Sequence, residues 1–208
     1  MGKNSGSSLR AWYERIFLPV GRLIAKTGIS ANVLTSFSLL TAIVCAFFFW
    51  RQQLFLGIFF LLFTGFVDML DGSVARATGQ SSRFGAVLDH TLDRYAEFFF
   101  LLGLGLGEYV EFHWIYIAFF SMIMASFIRG KAESVGGLDS VAGIGIERKE
   151  KVGIITLGAA LTYWYPTLPS PWPAFLKNPL TIAVLLLAIL SQYAAFLRLR
   201  YTYQHADK

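Results

Sequence analysis

Long apolar runs follow one another through this chain of 208 residues, and they leave few architectures open. A helix needs about 20 predominantly apolar residues to cross a bilayer core. Six runs approach that length, at roughly 31–50, 53–75, 86–107, 112–134, 150–166 and 178–198. A soluble domain of this size would show polar faces between its apolar stripes. Here 55% of the residues are hydrophobic and 20 of them are Phe. The pattern predicts an all-α integral membrane protein of six transmembrane helices preceded by an amphipathic interfacial helix. It reads as one domain over 1–208, with the bundle at 31–198, no internal repeat and no second domain.

Residues 1–7 are small and polar, which predicts disorder. No apolar signal-peptide core follows them, and Gly6 breaks the myristoylation pattern. Over 8–26, Leu9, Trp12, Tyr13, Ile16, Phe17, Val20, Leu23 and Ile24 recur at helical spacing, with Arg10, Arg15, Arg22 and Lys26 between them. A basic amphipathic helix with aromatics is expected to lie on the membrane surface. The single cysteine, Cys45, sits in an apolar run and reads as a small packing residue without a disulfide. The net charge of +5 is explained by topology and anionic headgroups better than by nucleic acid, because the basic residues flank spans. Sixteen Lys and Arg fall on one side of the six-span arrangement and only Arg51 and Lys177 on the other. That asymmetry predicts cytosolic termini and a cytosolic acidic stretch. The Pro-rich run from Tyr165 to Pro173, with Trp164 and Trp172, suits an interfacial aromatic belt on the opposite side.

The acidic stretch reads DMLDGSVARATGQSSRFGAVLDHTLD, from Asp68 to Asp93. Asp68 and Asp71 are spaced i,i+3, and Asp89 and Asp93 are spaced i,i+4. On two helices joined by a polar turn, each pair projects from one face and the faces can converge. Four acids at a membrane border repel and resist desolvation unless a cation neutralises them. Hard divalent cations take such oxygen ligands, and Mg²⁺ commonly joins carboxylates to substrate phosphates. Between the acids, Gly72, Ala75 and Gly85 let a bulky ligand approach the backbone, and Arg76 can pair with phosphate. The competing reading is tight helix packing for the glycines and an ion-pair network of the acids with Arg76, Arg83 and Arg94. His90 differs in helical phase from Asp89 and Asp93, which favours a packing or supporting role. His113 and His205 carry no catalytic reading.

The pattern Asp68-x2-Asp71-Gly72-x2-Ala75-Arg76-x8-Gly85-x3-Asp89-x3-Asp93 resembles the signature of the CDP-alcohol phosphotransferases without a departure. The six-run layout and the N-terminal surface helix are also similar to that family. The resemblance implies transfer of a substituted phosphate from a CDP-linked donor to an acceptor hydroxyl, with release of CMP. It implies that Asp68, Asp71 and Asp89 hold one or two Mg²⁺ or Mn²⁺ ions, and that Asp93 completes the metal site and acts as the general base. It assigns Gly72, Ala75, Arg76 and Gly85 to the CDP moiety together with Asp68. Asn32 and Thr35, in SANVLT, resemble the family's additional nucleotide contacts. A homodimer is implied by the family alone.

A second polar cluster, SFIRGKAESVGGLDSVAGIGIERKEK, lies between the fourth and fifth runs. Arg129, Lys131, Arg148 and Lys151, with Arg198 after the last run, can face the same cavity as the acids. A phosphorylated acceptor would use that many cations; a neutral or zwitterionic one would not. Positive-inside topology alone is the competing reading of these residues. RGKAE and GIERKEK also resemble the inositol-phosphate-using branch of the family. Lys151 stands there in place of Arg, keeping the charge but losing the bidentate fork. Ser126 and Glu133 either line the pocket or pair within a helix. The expected activity is therefore phospholipid synthesis, from a CDP-linked lipid drawn from the bilayer to inositol phosphate. Glycerol phosphate ranks second as acceptor, and serine or another small alcohol third. A cation transporter is the rival class, but it would spread polar groups along several spans at the midplane. A purely structural subunit would have no use for the four acids.

Overall fold

Four helices of this chain open on residues whose side chains satisfy their first backbone N–H groups. In the computed structural model, residues 17–79, 82–138, 141, 143–168, 173, 176 and 178–206 are described. They hold seven helices and no strand. Helix α1 covers 17–25. It is followed by α2 (Ala31–Trp50), α3 (Leu54–Thr78), α4 (Arg83–Leu106), α5 (Phe112–Ser134), α6 (Arg148–Trp164) and α7 (Pro179–His205). Ser30 caps α2 by accepting from the Val33 N–H at 3.4 Å, and Ser82 caps α4 by accepting from Gly85 at 2.9 Å. α6 begins with a reciprocal capping box between Glu147 and Glu150. α7 has Asn178 as its cap and Pro179 in its first turn, where a missing N–H is harmless. α3 ends at Gly79 with φ +65°, a left-handed stop that glycine adopts without strain.

α2 packs against both α3 and α4, α5 packs against α7, and α6 lies against α7 and α3. The shared core includes Cys45, Phe49, Leu61, Phe100, Leu104, Met122 and Leu187. Close approach of α2 and α4 depends on Gly103, where a Cβ would stand 2.6 Å from the Ala46 Cα. Several polar groups in this apolar interior are paired with one another. Thr41 and Thr64 share a hydroxyl hydrogen bond of 2.9 Å, and the Cys45 thiol donates to the Gly57 carbonyl at 3.2 Å. Cys45 is buried and free. At the far end, Asn178 donates to the Tyr109 carbonyl and accepts from Thr162, tying three segments together.

The outer surface is apolar as well. Phe55, Phe59, Tyr116, Phe120, Ile189 and Phe196 are all exposed. Such a belt is foreign to a water-soluble monomer and natural against lipid. α2, α3, α5 and α7 are each long and apolar enough to cross a membrane. The six expected runs all became helices close to their predicted limits, but two differ in character. α4 carries Arg83, Asp89, His90, Asp93, Arg94 and Glu97 in its first two-thirds, and α6 has 17 residues with charges at its start.

The expected interfacial helix is helical over 17–25, while 1–7 and 8–16 lie outside the described residues. It docks on α3. The rings of Phe17 and Phe66 are 6.0 Å apart, and a Cβ on Gly21 would meet the Ser73 carbonyl carbon at 2.8 Å. Trp164 and Tyr165 are exposed at the end of α6, as an aromatic belt requires. Trp172 lies outside the described residues.

Candidate active site

The acids of α3 and those of α4 converge. One carboxylate oxygen each from Asp68, Asp71 and Asp89 lie within 4.8 Å of one another. Asp71 is only 6% exposed, and a Thr35 hydroxyl on α2 donates to it at 2.7 Å. Thr35, predicted as a nucleotide contact, thus has the further job of fixing a buried acid. Asp89, His90 and Asp93 also offer ligand atoms within 4.8 Å of one another. His90 therefore stands nearer the acids than its phase relative to Asp89 suggested, because it lies i,i+3 from Asp93.

The counter-ions differ from those considered for a purely structural network. Arg148, from α6, forms ion pairs with both Asp68 and Asp93. Arg94 approaches Asp93 at 3.8 Å but lies closer to Glu97, at 3.1 Å. The Arg76 guanidinium donates to the Ser73 hydroxyl at 3.3 Å. The donor set suits a hard divalent cation. Asp68, Asp71 and Asp89 offer carboxylate oxygens from two helices, and the buried Asp68 Oδ1 has no hydrogen bond, its charge met by the ion pair to Arg148.

Two cavities meet at Asp89. The smaller, of about 220 Å³, is lined by Asn32, Thr35, Asp71, Gly72, Ala75, Arg76 and Gly85 among others. All the residues predicted to surround CDP are gathered there except Asp68, which lines the larger cavity. A Cβ on Gly85 would stand 3.2 Å from the Asn32 side-chain oxygen, so a larger residue would narrow this cleft.

The larger cavity, of about 700 Å³, runs from Asp68, Asp89 and Asp93 to a cationic wall. Arg129, Arg148, Lys151 and Arg198, all expected there, line it with Ser126, as do Arg94, Lys149, Glu133 and Glu147. Leu62, Gly65, Phe66 and Met69 of α3 give it an apolar side that the sequence reading did not single out. The four expected cations are not equivalent. Arg129 pairs with Glu133 at 3.2 Å. Arg198 is 5% exposed and donates to the carbonyls of Ile144 and Ala125, clasping the loop that leads into Glu147 and Arg148. Lys151 pairs with Glu97 at 3.0 Å. Lys131 lies outside this wall, with its ammonium 5.7 Å over the Phe127 ring. Residues 129 and 131 are two apart on α5, a spacing that places side chains on different faces.

Carboxylates converging from two helices, with a narrow cleft on one side and a cationic cavity on the other, make a phosphotransferase site at a membrane border. Residues 28–199 match the model of the CDP-alcohol phosphatidyltransferases, and the chain belongs to that family of transferases for substituted phosphate groups. It is 34% identical over 185 residues to the archaetidylinositol phosphate synthase of Pyrococcus horikoshii, covering 89% of each chain. Its fold is similar to the crystal structure of Mycobacterium tuberculosis phosphatidylinositol phosphate synthase with CDP-DAG bound. The TM-score is 0.75 at 30% identity, over 91% of this chain and 94% of that one. A second structure of that synthase, in complex with manganese and citrate, also gives a TM-score of 0.75 at 30% identity, over 90% of this chain and 89% of that one.

Proposed function

We propose that this chain transfers the phosphatidyl-type group of a CDP-linked lipid to a hydroxyl of inositol phosphate, releasing CMP. The observation that carries the choice of acceptor is the cationic wall of Arg129, Arg148, Lys151 and Arg198, which lines the same cavity as Asp68, Asp89 and Asp93. An acceptor with its own phosphate would find charge-assisted partners on that wall while its hydroxyl lies toward the acids. The names of the relatives point to the same acceptor class. In this reading Asn32, Thr35, Gly72, Ala75, Arg76 and Gly85 hold the nucleotide, with Asp68 at the boundary. Asp93 takes the acceptor's proton, and Asp68, Asp71, Asp89 and Asp93 would hold Mg²⁺ or Mn²⁺, two ions in the fullest form. Bound divalent cations would polarise the attacked phosphorus and stabilise the departing CMP. The reading includes a homodimer.

The deciding experiment is CMP release by purified protein given a CDP-linked lipid and a panel of acceptors. Turnover with inositol phosphate well above glycerol phosphate, serine and free inositol supports the reading. Preference for an uncharged alcohol rejects it. Arg148→Ala gives a sharper test. Removing a buried charge-assisted contact costs about 1.5–3 kcal/mol, or roughly a 10- to 100-fold rise in acceptor KM. The CDP-lipid KM should stay near its original value. Because Arg148 also pairs with Asp68 and Asp93, kcat falls too, so the two KM values carry the decision.

The same reading places all six of α2 to α7 across the membrane, with both termini and the acids at the cytosolic face. Cys45 is buried, so new cysteines can be labelled against a silent background. Thr78→Cys, at the end of α3, should react with an impermeant thiol reagent from the cytosolic side. Glu111→Cys, before α5, should react only from the other side. Labelling of both from one side would overturn the arrangement.

A further inference from the structure

Glu97 belongs to none of the eight family positions, yet it is even more enclosed than Asp71, at 4% exposed. It follows Asp93 by one helical turn, so Asp89, Asp93 and Glu97 repeat at intervals of four along one face of α4. Its Oε1 lies 3.0 Å from the Lys151 ammonium on α6, and its Oε2 lies 3.1 Å from an Arg94 nitrogen. Lys151 is itself only 6% exposed. Arg94 reaches on toward Asp93 at 3.8 Å, and Arg148, three residues before Lys151, pairs with Asp93 directly. Glu97 thus ties the helix that carries Asp93 to the helix that carries the cationic wall.

We propose that Glu97 is a positioning residue for the transfer. By engaging Lys151 and Arg94 it fixes the cationic wall of α6 against Asp93, so that the acceptor's phosphate and its reacting hydroxyl are presented together. The physical reason is charge placement in a poorly hydrated region. Two cations at this depth need a carboxylate partner. Without Glu97, Arg94 keeps Asp93 as its ion-pair partner, 3.8 Å away, and drawn fully onto it would occupy the base, while Lys151 would lose the contact that holds the wall in place. The nucleotide cleft, on the far side of Asp89, would be left alone. The inference rests on reading the larger cavity as the acceptor side.

The test compares Glu97→Gln, Glu97→Asp, Lys151→Met, the Glu97→Met/Lys151→Met pair and Arg148→Ala. For each, kcat, the KM for inositol phosphate, the KM for the CDP-linked lipid and the thermal midpoint are measured. Glu97→Gln should raise the acceptor KM about tenfold or more and lower kcat, with the CDP-lipid KM within about twofold of the parent. Glu97→Asp, which keeps the charge, should recover most of the loss. The Met pair exchanges an ion pair for apolar side chains and should fold even where a lone buried charge would not. Its acceptor KM should be raised but no worse than the poorer single variant, because the two residues act as one unit. The inference is overturned if Glu97→Gln lowers only the thermal midpoint, if both KM values rise together, if the Glu97 and Lys151 effects add, or if the Met pair handles acceptor like the parent. Arg148→Ala separates the two levels. If it weakens only the CDP-linked lipid, the assignment of the cavity has failed. If it weakens the acceptor and Glu97→Gln does not, the role given to Glu97 alone has failed.

Discussion

Replacing Asp93 with Asn should lower kcat for CMP release by about 10²–10⁴-fold, the usual worth of a positioned general base. The substitution keeps size and part of the hydrogen bonding, and it removes the group that would accept the acceptor's proton. Asp93 lines the larger cavity, on the same side as the cationic wall, and it shares Arg148 with Asp68. A proton acceptor is useful only where the acceptor hydroxyl arrives, and in the proposed reading that is the position of Asp93. The three oxygens gathered from Asp68, Asp71 and Asp89 do not depend on it, and Arg148 keeps Asp68 as a partner. The KM for the CDP-linked lipid should therefore change much less than kcat. Steady-state kinetics with both substrates varied give the answer. A variant with near-parental kcat would remove Asp93 from the proton transfer. A loss confined to the CDP-lipid KM would move it to the nucleotide side.

Much of this site was legible because its elements are local in sequence. Asp68, Asp71, Asp89 and Asp93 sit on two consecutive helices joined by a short turn, so their spacing alone predicts convergence. The helix limits followed from apolar run length, and the structure adds local starts and stops at Ser30, Ser82, Gly79 and Pro179. What sequence could not give were the contacts made between distant segments. Arg148 was visible as a basic residue, but nothing local says that its guanidinium lies between Asp68 and Asp93. Arg198 was expected to face a substrate, and its donors to the Ile144 and Ala125 carbonyls depend on how α7 packs against α5 and the preceding loop. Lys131 looked equivalent to Arg129 in RGKAE, although helical phase already separates them. Glu97 had a readable signal, since it continues the four-residue interval of Asp89 and Asp93. It escaped because its significance comes from Lys151, 54 residues away.

The second large effect is the loss of turnover on removal of divalent cations. Excess chelator should abolish CMP release, and Mg²⁺ or Mn²⁺ added back should restore it. The argument begins with charge. Asp68, Asp71 and Asp89 bring their oxygens within 4.8 Å of one another, and Asp93 joins Asp89 and His90 in a second such group. Arg148 answers Asp68 and Asp93. Asp71 is met by neutral donors, the Thr35 hydroxyl at 2.7 Å and the Gly72 backbone N–H. Bringing the diphosphate of a CDP-linked donor beside that many carboxylates would be strongly repulsive without added positive charge. Of the cations that line the two cavities, Arg76 alone lines the nucleotide cleft, and the others stand in the larger cavity. One arginine cannot offset both the acids and a diphosphate, so donor binding itself should need the cation. Chelation should thus weaken binding of the CDP-linked lipid as well as stop turnover, and a direct binding measurement can detect this without catalysis. Turnover at the full rate in excess chelator would refute the metal-dependent reading. Unchanged donor binding alongside lost turnover would confine the cation's role to the chemical step.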